Sequence, residues 1–86
     1  MNSQPPDLVP VIRSLVSELG FMPSNAQVGA TQSLFDAGIL DSLRLMQLVP
    51  CIEQRLGISV AADDLIPENF DSLERMSRFV GNRRSA

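Results

Sequence analysis

A chain of 86 residues with 44% hydrophobic residues has room for one small domain, and none of its apolar runs approaches the ~20 residues of a membrane span. The formal net charge of −3 disfavours contact with the phosphate backbone of nucleic acids and favours a basic protein partner. Histidine is absent and all seven basic residues are arginine, so Ser-His, Cys-His and Ser-Lys pairs are excluded and a self-sufficient enzyme is not expected.

The N-terminal third predicts one helix after a short polar segment. Residues 1–6 are expected to be flexible, and they lack the charged-then-apolar layout of a signal peptide, so the cytoplasm is the default location. Asp7 can cap a helix in which Pro10 lies within the first turn, and Gly20 fits the C-terminal end. The apolar residues at helical spacing are Leu8, Ile12, Leu15 and Leu19.

Residues 21–41 predict a long ordered loop. They contain Pro23, Gly29 and Gly38 and show no sustained hydrophobic period. A loop of this length in a small domain is uncommon and tends to be functional. The residues expected to anchor it are Leu34, Phe35, Ile39 and Leu40.

A second helix is predicted to begin after Asp41 and to end at Leu56, with Gly57 as its stop. One face carries a core stripe of Leu45, Leu48, Val49, Ile52 and Leu56. The opposite face carries Leu43, Met46, Gln47, Pro50 and Gln54, where charged residues are usual. Scattered surface hydrophobes could explain these residues, but three of them one turn apart favour a docking stripe of Leu43, Met46 and Pro50.

Cys51, the only cysteine, has no partner for a disulfide and no companion for a zinc site, so it is interpreted as a small hydrophobe and no metal site is expected.

The C-terminal third predicts a short helical turn around residues 62–65 and a longer last helix. Pro67 is expected to break the chain, and Asp71 with Glu74 forms a possible capping box. The residues predicted to face inward are Leu73, Met76, Phe79 and Val80. The predicted fold is therefore all-α: a monomeric bundle of three main helices plus one short helix, with the long loop between the first two.

The tripeptide Asp-Ser-Leu occurs twice, at Asp41-Ser42-Leu43 and at Asp71-Ser72-Leu73. Aspartate ahead of a helix caps free backbone N–H groups, so either copy could be only a helix start. Ser42 differs because it follows the long loop, where another protein can reach it. The N-terminus of a helix also stabilises added negative charge.

Three segments resemble the acyl carrier protein family in the broad sense, which includes peptidyl and aminoacyl carriers. They are "LFDAGILDSLRLMQLV" at 34–49, "IEQRLGI" at 52–58 and "DLIPENFDSL" at 64–73. Asp-Ser-Leu alone would be weak, but a long loop ending in Leu-Phe-x-x-Gly-x-x-Asp-Ser-Leu before an amphipathic helix is specific. The resemblance covers residues 8–80, nearly the whole chain. The predicted carrier domain is residues 7–81, with flexible ends at 1–6 and 82–86.

The resemblance implies that a phosphopantetheinyl transferase attaches 4′-phosphopantetheine from coenzyme A to Ser42. The arm then holds an acyl or aminoacyl group as a thioester, and the chain is not itself an enzyme. The expected partners are this transferase, an activating ligase, and downstream condensing, transferase or tailoring enzymes. Their predicted contact surface is Asp41, Leu43, Arg44, Met46, Gln47 and Pro50.

Two departures from the family pattern favour a discrete carrier of a specialised, secondary-metabolite pathway. The second helix has Glu53 as its only acid after Asp41, whereas the corresponding helix of fatty-acid carriers is usually strongly acidic. Pro50 also interrupts this helix, which is normally uninterrupted in the family. The alternative interpretation is a helical interaction module that keeps the carrier fold and is never modified.

Overall fold

The structure is a computed structural model that describes residues 7–22 and 27–85. Across these ranges the chain forms three long helices, one short helix and a 3₁₀ turn, without a strand. The all-α prediction of three main helices plus a short one is confirmed. In chain order the elements are α1 (Val9–Glu18), α2 (Ser42–Leu56), a 3₁₀ turn (Ala62–Asp64), α3 (Pro67–Phe70) and α4 (Leu73–Ser85).

The ends of α1 follow local signals. The Asp7 carboxylate accepts a hydrogen bond from the Val9 N–H at 3.1 Å, and Pro10 lies in the first turn, where its missing N–H costs nothing. The N-cap position is Leu8 and not Asp7 as predicted, and the Leu8 side chain cannot accept a capping bond, so the Asp7 carboxylate supplies an acceptor from the position before it. Gly20 ends the segment with φ 81°, a left-handed conformation that suits glycine.

The core is mostly aliphatic, with Phe70 fully buried in it, and lies where α1 packs against α2 and α4, while α3 packs against α4. The predicted inward stripes of α1 and α2 are buried except for Leu19 and Leu56, which are half-buried. In α4, Leu73, Met76 and Val80 are buried and Phe79 is half-buried.

The described part of the loop between α1 and α2 is tied to the bundle. Leu34 and Leu40 are buried, and Phe35 and Ile39 pack against the core, as predicted. The Arg13 guanidinium donates a hydrogen bond to the Val28 carbonyl at 2.8 Å. Pro23 lies outside the described residues.

Two expectations for the C-terminal third are wrong. Pro67 does not break the chain but occupies the first position of α3, where its fixed φ is compatible with a helix. Asp71 and Glu74 do not form a capping box. Asp71 ends α3 in the right-handed helical conformation (φ −73°, ψ −14°), which differs from the extended backbone of an N-cap, and the Ser72 hydroxyl accepts the capping hydrogen bond of α4 instead.

The last helix is longer than the sequence boundary at residue 81 implied. α4 continues to Ser85, so residues 82–85 are helical where a flexible end was expected. Arg83 explains part of this extension, because its guanidinium pairs with Asp64 and lies over the Phe79 ring, 5.4 Å from the ring centroid. Residues 1–6, the other predicted flexible end, lie outside the described residues. None of the helices described is long and apolar enough to cross a membrane.

Candidate functional site

Asp41 is the N-cap of α2. Its backbone is extended, with φ −144° and ψ −176°, and its carboxylate accepts a hydrogen bond from the Arg44 N–H at 2.8 Å. The Asp41 carbonyl accepts the first helical bond from Leu45 at 2.9 Å. The predicted helix start is therefore confirmed, and Gly57 ends α2 in the left-handed conformation with φ 69°.

Ser42 is the first residue of α2 and is exposed. Within the described residues its hydroxyl makes no hydrogen bond, and neither do the backbone N–H groups of Ser42 and Leu43. Free N–H groups and the positive end of a helix dipole stabilise an adjacent negative charge. The position thus combines an accessible hydroxyl with local compensation for an added phosphodiester.

Arg44 lies one residue further along and is half-buried. Its Nη1 donates hydrogen bonds to the Gly38 carbonyl at 3.2 Å and to the Ile39 carbonyl at 3.1 Å. Its guanidinium carbon is 5.3 Å from the centroid of the Phe21 ring. These contacts join both ends of the loop to the first turn of α2, and the sequence pattern did not predict them.

The face of α2 next to Ser42 is apolar and open to solvent. Leu43 is 69% exposed, Met46 is 60% exposed, and Pro50 is exposed. The prediction that these three residues lie outside the core is confirmed. Their role in docking stays a prediction, as does that of the exposed Asp41 and Gln47.

The charged residues further along α2 form hydrogen bonds or ion pairs with other residues of the chain. Glu53 accepts a hydrogen bond from the Val60 N–H at 2.8 Å, and Arg55 pairs with Glu18 at 3.1 Å. Between Leu43 and Gln54, the exposed residues are all uncharged: Leu43, Met46, Gln47, Pro50 and Gln54. A partner that meets this face therefore encounters apolar and amide groups.

Ser72, the serine of the second Asp-Ser-Leu copy, has a different environment. It is only 3% exposed, and its hydroxyl accepts a hydrogen bond from the Arg75 N–H at 3.1 Å. The Ser72 carbonyl accepts the first bond of α4 from Met76 at 3.0 Å. Ser72 is therefore the cap of α4, and a modifying enzyme could not reach its hydroxyl without unfolding this region.

Asp71 fixes the long loop, which the sequence pattern did not predict. Its carboxylate accepts hydrogen bonds from the Ser33 hydroxyl at 2.8 Å and the Phe35 N–H at 3.2 Å. Its carbonyl accepts one from the Leu34 N–H at 2.6 Å. No local signal could have identified these bonds, because the partners are 36 to 38 residues apart in the chain.

Cys51 is half-buried, and its thiol lies 3.7 Å from the Gln47 carbonyl within the same helix. Among the residues for which the structure gives positions, no cluster of three histidine, cysteine or acidic side chains could hold a metal ion.

In a comparison with protein-family models, residues 10–80 match the family described as "Phosphopantetheine attachment site". The match includes α1, the long loop, α2, α3 and most of α4. No curated protein is similar enough to this chain to count as a relative.

Proposed function

The chain belongs to the phosphopantetheine attachment site family, and we propose that Ser42 is the residue that carries the group. The family match covers most of the chain, so this is a carrier protein whose cofactor is covalently bound 4′-phosphopantetheine. What the family match leaves open is the attachment residue, the cargo and the partners.

The observation that carries the proposal is the Ser42 hydroxyl at the start of a 15-residue helix, which is accessible and makes no hydrogen bond to any residue that the structure describes. The residues around it fit the group. The free N–H groups of Ser42 and Leu43 can compensate the phosphodiester charge, and Asp41 holds the first turn through its bond to the Arg44 N–H. Ser72 offers no comparable hydroxyl, because capping and burial occupy it.

The bound group supplies a terminal thiol, on which an acyl or aminoacyl cargo is held as a thioester. The protein's own part is to present Ser42 to a phosphopantetheinyl transferase that uses coenzyme A, and later to present the loaded arm. Carrier domains of this family are typically not catalysts, which agrees with the lack of histidine and lysine. The chain thus acts as a substrate of other enzymes, and its cytoplasmic location and monomeric state stay predictions.

The partner enzymes are an activating ligase and downstream condensing, transferase or tailoring enzymes. We expect them to contact the exposed face of α2, centred on Leu43, Met46 and Pro50. Asp41, Arg44 and Gln47 border this face. Exposed apolar side chains grouped on one helix face are a common basis for docking.

A specialised, secondary-metabolite pathway fits this surface better than a housekeeping one. Glu53, the only acid of α2, accepts a hydrogen bond from the Val60 N–H, and Asp41, the acid beside Ser42, is used as the N-cap of the helix. A partner enzyme that binds an acidic helix face would meet few acidic side chains on α2. The cargo, acyl or aminoacyl, is chosen by the ligase.

The second candidate is a module that keeps the carrier fold but is never modified and binds proteins through the same exposed face of α2. The exposed Leu43 and Met46 are compatible with it. Modification itself separates the two candidates, because the unmodified module predicts no reaction at Ser42.

The test is the intact mass of the chain after co-expression with a phosphopantetheinyl transferase. We expect the wild type and Ser72→Ala to gain the mass of one phosphopantetheine group, and Ser42→Ala to gain none. Ser72→Ala is the matched control, since it removes the same hydroxyl from the same tripeptide. A mass gain that survives in Ser42→Ala would refute the assignment, and no gain in any variant would support the unmodified module.

A further inference from the structure

We propose that Arg44 is a positioning residue for the attachment reaction: its guanidinium holds the loop segment before Ser42 against the first turn of α2. This role presupposes that Ser42 is the attachment residue, as proposed above. It differs from a direct contact with partner enzymes, which the position of Arg44 on α2 would suggest from sequence alone.

The first observation is the number of elements that this one side chain joins. Nη1 carries two hydrogens and donates to two successive carbonyls, Gly38 at 3.2 Å and Ile39 at 3.1 Å. The planar guanidinium also lies over Phe21, with 5.3 Å between its carbon and the ring centroid. Arg44 therefore connects the beginning of the loop, the end of the loop and the helix that starts with Ser42.

The second observation is that the loop segment needs an outside partner for its carbonyl groups. The segment is residues 38–40. The N–H groups of Ile39 and Leu40 already have an acceptor within the loop, because both donate to the Leu34 carbonyl, at 2.9 and 3.1 Å. Gly38 turns with φ 75°, and glycine has wide conformational freedom. Without Arg44, the half-buried Ile39 carbonyl would lose its partner, and the segment would move to find another.

The third observation is the distance along the chain between the segment and the reacting hydroxyl. Only Leu40 and Asp41 separate Ile39 from Ser42. A shift of the segment therefore displaces the cap residue and the serine together. Displacements of about 1 Å at a reacting group can lower a rate about a hundredfold.

Arginine suits this position for geometric reasons. Side chains on a helix point back towards its N-terminus, so a residue in the first turn can reach the preceding loop. The planar fork can donate two bonds while its face covers an aromatic ring. Lysine is shorter and has no planar face to cover Phe21.

Arg55 provides a matched control on the same helix. It pairs with Glu18 at 3.1 Å, with side chains that are 50% and 56% exposed, and it makes no hydrogen bond to the described part of the long loop. Replacing Arg44 or Arg55 by glutamine removes one positive charge from α2 in each case.

The experiment compares Arg44→Gln and Arg55→Gln in the full unmodified chain, at a temperature where circular dichroism shows both to be folded. Hydrogen exchange measured by NMR reports on the Ile39 and Leu40 amides. The kinetics of a phosphopantetheinyl transferase with coenzyme A give kcat and KM for the carrier. We expect Arg44→Gln to speed the exchange of both amides by about tenfold or more. We expect its kcat to fall by about ten- to a hundredfold with KM changed by less than about twofold. Arg55→Gln should match the wild type.

A raised KM with unchanged kcat in Arg44→Gln would mean that Arg44 contacts the transferase, and it would overturn the positioning role. Wild-type exchange and kinetics would overturn it as well. If Arg44→Gln does not fold, Arg44→Lys takes its place, because lysine keeps the charge and the helix propensity. The same changes, smaller in size, are then expected, and wild-type behaviour of Arg44→Lys would overturn the role of the guanidinium geometry. Should Ser42→Ala still be modified, the attachment residue is wrong, while the exchange of Ile39 and Leu40 still tests the contacts of Arg44.

Discussion

The two Asp-Ser-Leu copies begin two helices, but they use different residues as the cap. In the first copy Asp41 caps α2 and Ser42 is the exposed first helical residue. In the second copy Ser72 caps α4, and Asp71 precedes the cap. A shift of one residue in the cap thus decides whether the serine is available for modification or is used to hold the fold.

The shift has a local cause and a distant one. α3 ends directly before the second copy, so Asp71 still has helical backbone angles and cannot be the extended N-cap. The Asp71 carboxylate instead accepts hydrogen bonds from the Ser33 hydroxyl and the Phe35 N–H of the long loop. Asp41 has a loop and not a helix before it, so its carboxylate is free to cap α2. Identical tripeptides therefore acquire different roles from what precedes them.

Substitution of the two leucines by alanine should give the largest difference in stability between the copies. Leu73 is fully buried and Leu43 is 69% exposed. We expect Leu73→Ala to lower the free energy of unfolding by about 2–5 kcal/mol, because it leaves a cavity in the core. Leu43→Ala should change it by less than about 0.5 kcal/mol. Urea denaturation of both variants measures this, and similar losses in the two would mean that the first copy is also packed into the core.

For the two aspartates, the loss of stability on substitution by alanine should differ by less than for the two leucines. Asp71→Ala leaves the Ser33 hydroxyl and the Phe35 N–H without their acceptor, and we expect a loss of about 2–3 kcal/mol. Asp41→Ala removes one exposed cap, which is worth about 1 kcal/mol. Asp41→Asn is the control, since asparagine caps as well as aspartate and should restore wild-type stability. Denaturation midpoints with equal shifts for Asp71→Ala and Asp41→Ala would contradict the role of Asp71 in fixing the loop.

For the two serines, the loss of stability on substitution by alanine should differ by about the value of one hydrogen bond. Ser72→Ala removes the cap of α4 and should cost about 1 kcal/mol. Ser42→Ala removes a hydroxyl that has no bond within the described residues, so its stability should stay within about 0.5 kcal/mol of the wild type. Thermal unfolding of the two unmodified variants checks this. A greater loss in Ser42→Ala would show that its hydroxyl has a structural role.

The smallest stability effects are expected on the exposed face beyond the first copy. Met46→Ala should cost less than about 0.5 kcal/mol. Pro50→Ala should leave α2 equally or more stable, because proline inside a helix lacks an N–H and crowds the preceding turn. Both should slow loading by the cognate ligase or acyltransferase if this face docks partners.

The matched control for this face is Gln54→Ala, an exposed residue about 18 Å along the helix from Ser42. Its loading rate should equal that of the wild type. A large drop in melting temperature for Met46→Ala, with unchanged loading per folded molecule, would mean that Met46 is a packing residue and that no docking stripe exists.

Several features were predictable from the sequence because their causes lie within a few residues. Asp41 and Gly57 mark the two ends of α2 through bonds to the neighbouring turn. The apolar spacing of the helices predicted ten of the sixteen hydrophobic residues that are buried in the described part of the chain. The buried residues that were not predicted are Val16, Met22, Val28 and Phe70. The loop before Ser42 distinguished it from Ser72. The family match over residues 10–80 agrees with the resemblance read from the same residues.

Other features depended on the tertiary structure, because the groups involved are far apart in the chain. Asp71 and Glu74 have the spacing of a capping box, but bonds to residues 36 to 38 positions away take the Asp71 carboxylate, and the cap moves to Ser72. Arg44 reads as an exposed charge beside Ser42, and only the folded loop brings Phe21 and two carbonyls to its guanidinium. The sequence by itself determined both ends of α2, since capping is a contact between near neighbours. The tertiary structure decided which serine stays free, since that depends on whether distant groups occupy the polar atoms beside it.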